Sequence, residues 1–240
     1  MKQFDEGYWR GHLSHQDWYI RLERDLRNDI FPMMRDDASL ADYRDQVYRL
    51  VADMLKLGQL PLAESGPDLD TQRAPVTTII IHHTEEDSDI SLDKLSAIGL
   101  VRQYALKYLD DNVLGNKVRG QAIWSGHFRE DRMVFFAYHW LVRPDGKVER
   151  LLNDSDYGNH ALQANPYSIG IAFSGDYTES SPSLKQIQAA AKVIREHYPD
   201  IPVDQILGHC EVLDRTCPSK SFLTEWKQIL LKEILDETNR

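Results

Sequence analysis

The first quarter of the chain carries apolar residues at helical spacing in two stretches. They recur every three to four positions from about residue 16 to 30 and again over residues 40–57, where Ser39 is suited to cap the helix N-terminus. The following segment, LPLAESGPDLDTQRAPV, is polar and rich in proline, which is typical of a linker. The pattern therefore predicts an N-terminal helical extension and linker over residues 1–74 and a second domain over residues 75–240.

The pattern changes after Pro75 to alternating strands and helices. VTTIIIHH is a short, continuous run of mostly β-branched residues, which favours a buried central strand. Further strands are predicted in MVFFAYHWLVRPDGKVERLL, with a turn at Pro144–Gly146, and in YSIGIAFSGDY; helices are predicted over 91–109, over 183–197 after an S-x-x-Q capping box, and after Pro218. We expect an α/β fold in which a central mixed β-sheet is flanked by helices.

Charge and cysteine content narrow the class of protein. The 240 residues have a formal net charge of −10, which argues against nucleic acid as the main partner, because phosphate binding requires a basic surface. Only two cysteines occur, Cys210 and Cys217, so a secreted domain held together by disulfides is not indicated. No apolar run is long enough to span a bilayer, and we predict no membrane insertion.

The first residues, MKQFDEGYWRGHLSHQDW, contain neither the apolar core nor the cleavage site of a signal peptide. We therefore expect the protein to be cytoplasmic at synthesis. If it comes from a phage, we expect release through a pore that another protein forms.

Histidines and a cysteine in two distant segments form the candidate chemistry. His82 and His83 end the first strand, and adjacent strand residues point to opposite faces, so only one of them can face a given site. In GHCEVLDRTCPS, His209 and Cys217 are eight positions apart (217 − 209), with Cys210 as a competing thiol. Two histidines and one cysteine can hold Zn²⁺ and leave a fourth position for water, which is the arrangement of a hydrolytic zinc site.

Four segments also resemble a known family: IIIHHT, AYHWLVRPDGKVERLL, YGNHALQANPYSIGIAFSGDY and LGHCEVLDRTCPS, in this order. Together they are similar to the zinc-dependent N-acetylmuramoyl-L-alanine amidases of type 2, which include phage amidase endolysins, bacterial recycling amidases and animal peptidoglycan recognition proteins. The resemblance covers about residues 75–235. It implies the fold of that family, Zn²⁺ as cofactor, and hydrolysis of the amide bond between N-acetylmuramic acid and L-alanine in peptidoglycan or muropeptides.

The resemblance also implies a set of metal ligands. The family holds zinc with a histidine at the end of the first strand, a histidine after a glycine, and a cysteine or aspartate before a proline. These positions match His82, His209 and Cys217 in this sequence. His83 remains the alternative to His82, and Cys210 is interpreted as a bystander.

Four further residues take roles from the resemblance. Tyr138 matches a catalytic tyrosine that hydrogen-bonds the attacking water or the oxyanion. Arg215 stands where several family members have lysine and others threonine, and a cation there would stabilise developing negative charge. The alternative is that Arg215 only pairs with Asp214, Glu211 or a substrate carboxylate. His160 matches a histidine that lines the substrate groove. Residues 110–133 form an insertion relative to compact phage members, and we expect Trp124, with His127 and Phe128, to lie at the rim of the groove and contact substrate.

Two other functions remain open at this point. The chain could be a non-catalytic receptor that binds peptidoglycan, although such relatives typically lose the cysteine ligand. The same zinc scaffold could also act on another amide, such as a peptide or an acylated sugar. Turnover of muropeptides distinguishes the amidase from the non-catalytic receptor. A panel of amide substrates distinguishes it from a zinc hydrolase that acts on another amide.

Overall fold

The computed structural model describes residues 3–15, 18–34, 37, 40–61, 67–84, 127–130, 132–134 and 136–236. The chain divides into two compact units. Among the described residues, those up to 61 and 132–133 belong to unit 1, and those over 67–84, 127–130 and from 134 onward belong to unit 2. The helix predicted over 91–109 and Trp124 lie outside the described residues. The predicted boundary between residues 74 and 75 stays a prediction.

Unit 1 contains α1 (Glu6–Leu13), α2 (Trp18–Asp25), α3 (Phe31–Met34) and α4 (Leu40–Lys56), with a π-helical turn over Leu26–Ile30. α2 with the π-helical turn, and α4, confirm the two predicted helices, whereas α1 was not predicted. Two buried tryptophans anchor the packing: Trp9 donates its indole N–H to the Tyr43 hydroxyl (2.8 Å), and Trp18 donates to the Pro61 carbonyl (2.9 Å). Both indoles thus bury their rings while the polar N–H keeps a partner.

The strands of the chain are β1 (Thr78–His83), β2 (Phe128–Arg129), β3 (Arg132–Met133), β4 (Trp140–Val142), β5 (Val148–Arg150), β6 (Ser168–Phe173) and β7 (Ile206–Gly208). Unit 2 is built on a five-stranded sheet in the order β5–β4–β6–β1–β7. β1 runs parallel to both β6 and β7, β4 runs parallel to β6, and β5 is antiparallel to β4. Every residue of β1 is buried, so the prediction of a buried central strand in a mixed sheet is confirmed.

The helices of unit 2 are α5 (Leu184–His197), α6 (His209–Val212) and α7 (Lys227–Asp236). Short 3₁₀ turns lie at Asp70–Gln72, Leu162–Tyr167 and Val203–Gln205, and a π-helical turn at Phe222–Trp226 leads into α7. Helices α5 and α7 confirm two of the predicted helices, and Ser183 caps α5 by accepting a hydrogen bond from the Gln186 backbone N–H. Within the described ranges, no helix is long and apolar enough to cross a lipid bilayer.

The two faces of the sheet are covered differently. Ile79 and Ile81 belong to the core that β1 shares with α5 and α7. Ile80 packs on the other side against Ala161 and Ala164, from the segment that leads into β6. Since side chains alternate along a strand, His82 lies on the face of Ile80. The predicted fold class, a mixed sheet flanked by helices, is confirmed.

The strand predicted through AYHWLV is shorter than expected, because the ladder with β6 begins only at Trp140. Immediately before it, the His139 backbone N–H donates to the Gly170 carbonyl (2.9 Å), and the His139 Nδ1 accepts from the Gly170 N–H (3.1 Å). The imidazole supplies the acceptor that a main-chain carbonyl would provide in a continued ladder. Residues 136–139 therefore do not continue β4.

Candidate metal centre

Parallel strands bring two histidines from distant segments together. β1 and β7 are neighbours in parallel orientation, with Ile81 opposite Gly208, so the residues that follow each pairing lie at the same edge of the sheet. The ring centroids of His82 and His209 are 4.5 Å apart. His82 and His209 are thus in direct contact, although more than a hundred residues separate them in the sequence.

Strand alternation separates the two adjacent histidines. The Nδ1 atom of His82 lies 3.7 Å from the Cys217 sulfur, and His82 is 1% exposed. His83 points to the opposite face, where its Nδ1 accepts a hydrogen bond from the Tyr177 backbone N–H (3.0 Å) and lies 3.8 Å from a carboxylate oxygen of Asp176. The structure therefore brings His82, and not His83, to His209 and Cys217.

The backbone before His209 is shaped by a glycine. A Cβ atom at Gly208 would lie 2.5 Å from the ring of Phe222, a distance that real side chains do not reach. The Glu211 carboxylate accepts the Gly208 N–H (2.8 Å) and is held in turn by the Lys227 ammonium (2.7 Å). These contacts fix the short helix α6, on which His209 is the first residue.

The two cysteines have different environments. The Cys210 backbone N–H donates to the Cys217 carbonyl (2.7 Å), which joins the two ends of the loop. Cys210 packs against the core below the sheet, and burial, followed by the charge of Glu211, raises the pKa of its thiol. The Cys217 sulfur instead faces His82, and Cys217 is joined to Pro218 by a cis peptide bond.

The donor atoms fit a metal ion. His82, His209 and Cys217 each offer one ligand atom, and these atoms lie within 4.8 Å of one another. With Zn–N near 2.0 Å and Zn–S near 2.3 Å, a tetrahedral site requires about 3.5 Å between an imidazole nitrogen and a thiolate sulfur, close to the 3.7 Å between His82 Nδ1 and the Cys217 sulfur. The buried Nε2 atom of His209 has no hydrogen-bond partner in the part of the chain that the structure describes.

The electrostatics keep the imidazoles neutral, which metal binding requires. Burial lowers the pKa of His82 well below its ordinary value, and the neighbouring His160 and His209 lower it further. Burial also lowers the pKa of His209, and the positive charge of Arg215 acts in the same direction. Each ring therefore presents a lone pair at neutral pH.

The predicted catalytic residues lie around this cluster. The Tyr138 ring centroid is 5.1 Å from that of His82, and Tyr138 is largely buried. The Arg215 side chain is exposed, and it is close enough to His209 for its positive charge to lower the pKa of that imidazole. Their catalytic roles, and the substrate contact expected of Trp124, stay predictions.

His160 lies beneath His82 instead of on an open surface. Its Nδ1 is 3.0 Å from His82 Nε2, its Nε2 is 3.4 Å from the Ser168 hydroxyl, and it is 9% exposed. A Cβ atom at Gly170 would meet the His160 ring at 2.8 Å, so the glycine of β6 leaves the space that the ring fills. The contact with His82 was not predicted, because nothing in the local pattern near residue 160 points to a residue 78 positions away.

The expected rim position of His127 and Phe128 is wrong, since both side chains are buried. His127 accepts the Leu69 N–H at Nδ1 (3.0 Å), and its Nε2 contacts the Asp70 carboxylate (3.1 Å). Asp70 also accepts from Arg129 (2.5 Å). Burial raises the pKa of Asp70, but hydrogen bonds from Arg129 and the backbone outweigh this and leave it lowered, as in a satisfied ion pair.

We expect acid to destabilise the fold through His139. Burial lowers the pKa of its imidazole from 6.5 to about 3. Above pH 6.5 both the folded and the unfolded chain carry a neutral ring; between that pH and 3, only the unfolded chain takes up the proton, so the free energy of unfolding falls as pH falls. His139→Asn keeps an acceptor for the Gly170 N–H and cannot titrate.

The measurement is urea unfolding at several pH values between 6 and 4, in chelator so that no metal contributes. Over this range, the free energy of unfolding of the wild type is expected to decline more steeply than that of His139→Asn, by about 1.4 kcal/mol per pH unit. Equal slopes for the two proteins would show that His139 titrates normally in the folded state.

Comparison with known proteins shows what this chain is similar to. A family model described as N-acetylmuramoyl-L-alanine amidase matches residues 72–220. The chain is 26% identical over 183 residues to a peptidoglycan-recognition protein of Drosophila simulans, covering 72% of this chain and 88% of that protein. It is 25% identical over 156 residues to 1,6-anhydro-N-acetylmuramyl-L-alanine amidase AmpD of Haemophilus influenzae, covering 59% of this chain and 82% of that protein.

Among solved structures, Drosophila PGRP-LB aligns with a TM-score of 0.45 and 21% identity, covering 69% of this chain and 85% of that chain. The endolysin of Thermus scotoductus bacteriophage Ph2119 aligns with a TM-score of 0.44 and 23% identity, covering 67% of this chain and 86% of that chain.

Proposed function

Because the chain belongs to the N-acetylmuramoyl-L-alanine amidase family, we propose that it is a zinc-dependent amidase. Its substrate is peptidoglycan or a soluble muropeptide, and the bond it hydrolyses is the amide between the lactyl group of N-acetylmuramic acid and L-alanine. The recognition protein and the amidase to which it is similar are named for peptidoglycan and for this type of bond, which supports the substrate class.

The observation that carries the proposal is the donor set of His82, His209 and Cys217. Two neutral imidazoles and a thiol with ligand atoms within 4.8 Å suit zinc better than magnesium or calcium, which prefer oxygen ligands. A buried His209 Nε2 without a partner among the described residues would be unfavourable in a protein that left the site unused. Three protein ligands also leave room for water, as hydrolysis requires.

Zinc at this site would supply a Lewis acid that activates water at neutral pH. The side chains of this protein would stabilise the negative charge that develops during the reaction. Tyr138 donates a hydrogen bond to the carbonyl oxygen as negative charge develops on it, and the exposed cation of Arg215 stabilises the same charge. Water adds to the lactyl carbonyl carbon, the carbon–nitrogen bond to L-alanine breaks, and the amine leaves with a proton, which frees the stem peptide.

A receptor that binds peptidoglycan without cleaving it is the alternative. Such a protein needs shape and hydrogen bonds for its ligand but no third metal ligand, so the presence of Cys217 beside His82 supports catalysis. Hydrolysis of a different amide is the other alternative, and it predicts the same metal site with a different substrate preference.

The test is to incubate zinc-loaded protein with a defined disaccharide muropeptide and to analyse the products by mass spectrometry. We expect free disaccharide and a stem peptide with a new L-alanine amino terminus. A stem peptide without sugar is the control, and it should remain intact because it lacks the lactyl amide. Saturable binding without cleavage would contradict the proposal and favour the receptor; cleavage of the control would favour a general amidase.

Intact sacculi in a parallel reaction address the physical form of the substrate. The formal net charge of −10 disfavours adsorption to an anionic cell wall, so we expect faster release from soluble muropeptide than from sacculi at low ionic strength. Salt should narrow this difference by screening the charges.

A further inference from the structure

The side of His82 that faces away from Cys217 makes a hydrogen bond to another histidine. His82 Nδ1 is the atom that lies 3.7 Å from the Cys217 sulfur, so its Nε2 is directed elsewhere, to His160 Nδ1 at 3.0 Å. The two rings are close to perpendicular, with an interplanar angle of 87°. This edge-on arrangement lets an N–H of one ring point at the lone pair of the other.

The tautomers follow from these contacts. If His82 Nδ1 gives its lone pair to a metal, its proton is on Nε2, and it donates to His160 Nδ1. His160 then carries its own proton on Nε2, on the side of the Ser168 hydroxyl at 3.4 Å. Each ring nitrogen in this chain of contacts has one defined role, as donor, acceptor or ligand.

The protein holds His160 firmly in this position. The Asn165 side-chain oxygen accepts the backbone N–H groups of His160 (2.9 Å) and Ala161 (2.5 Å), and the Asn165 amide donates to Asn159 (3.0 Å). From the other side, Gly170 provides the space for the ring, which a Cβ atom would occupy. An acceptor with so little freedom can determine the orientation of the group that donates to it.

We infer that His160 is a positioning residue for the metal centre: it accepts the Nε2–H of His82 and so holds the His82 Nδ1 lone pair toward His209 and Cys217. Histidine ligands commonly donate their second N–H to a carboxylate or carbonyl, and here a neutral imidazole takes that place. The inference rests on the proposed zinc site, and it adds a function to a residue for which the sequence indicated only contact with substrate.

The test measures zinc affinity by competition with a chromophoric chelator, using the full chain. His160→Phe retains a ring but removes the acceptor, and we expect the dissociation constant for zinc to rise about 10- to 100-fold. His160→Ala removes the acceptor without adding bulk and should give a similar rise. His160→Asn places an amide oxygen near the position of Nδ1, and we expect it to retain an affinity close to that of the wild type.

His139→Phe is the matched control. His139 is also a buried histidine, and its ring centroid lies 5.8 Å from that of His160, but it bonds to the Gly170 N–H and the Asp156 carbonyl and not to His82. We expect this variant to lose thermal stability as metal-free protein while it binds zinc as the wild type does. The control separates loss of packing from loss of the acceptor.

The outcomes distinguish this inference from the proposed function. If the wild type binds no zinc, the proposed function fails and the inference falls with it. If the wild type binds zinc tightly but His160→Phe and His160→Ala bind equally well, the inference alone is wrong. If His160→Asn is as weak as His160→Ala, the amide oxygen does not replace the acceptor, and the positioning role is overturned.

Discussion

Replacing Cys217 by alanine is expected to abolish tight zinc binding and to lower the rate of muropeptide hydrolysis at least about 1,000-fold. Bound to zinc as a thiolate, Cys217 would be the one anionic ligand in the set, and its sulfur lies 3.7 Å from His82 Nδ1. Its removal leaves two neutral imidazoles, which hold zinc much more weakly than three ligands do. Activation of water by a metal contributes several kcal/mol to a hydrolytic reaction, and each 1.36 kcal/mol is a factor of ten in rate.

The chain provides a matched control in Cys210→Ala. Cys210 undergoes the same chemical change seven positions away (217 − 210), but its side chain packs against the core, and alanine keeps the backbone N–H that donates to Cys217. We expect zinc content and hydrolysis to stay near those of the wild type. Metal analysis and product formation, measured on the same preparations, check both variants. Unchanged zinc content in Cys217→Ala would remove this residue from the ligand set.

Tyr138→Phe is expected to lower kcat about 100- to 1,000-fold and to change zinc affinity and KM little. The substitution removes the hydroxyl and keeps the ring, which packs with its centroid 5.1 Å from that of His82. Loss of one hydrogen-bond donor to a developing oxyanion typically has an effect of this size on kcat. Because the donor acts mainly in the transition state, ground-state binding should be preserved.

Tyr157→Phe is the corresponding control, since Tyr157 is buried to a similar extent and its ring lies beside His127 rather than beside His82. Steady-state kinetics and a zinc titration check both variants. We expect a lowered kcat in Tyr138→Phe and no other difference between the two variants. An equal loss of zinc affinity in Tyr138→Phe would mean that the hydroxyl supports the metal site, and an unchanged kcat would exclude it from catalysis.

Much of the fold could be predicted because its signals are local. The β-branched run that ends at His82 indicates a buried strand whatever surrounds it, and the capping box at Ser183 indicates a helix start from two side chains alone. The strand predicted through His139 is shorter in the structure, and the reason is a tertiary contact. Its imidazole bonds to a glycine 31 residues away, and this contact ends the ladder.

The candidate site divides in the same way. Strand alternation requires that only one of His82 and His83 face the site, but the choice between them depends on which face of the sheet receives His209 and Cys217. His127 was expected at the rim of the groove because residues 110–133 were interpreted as an insertion relative to compact phage members, yet contacts to Leu69 and Asp70 bury it. These partners are more than fifty residues away, so no local pattern reports them.

The sequence by itself determined the buried strand β1, the helices α4, α5 and α7, the family, and the residue types that can hold a metal, since each depends on neighbours along the chain or on an ordered set of motifs. Only the tertiary structure decided that His82 rather than His83 joins His209 and Cys217, that Cys210 packs against the core, and that His160 contacts His82. The physical reason is that metal sites and hydrogen bonds require atoms within about 4 Å. The pairing of parallel strands sets such distances between segments far apart in the chain.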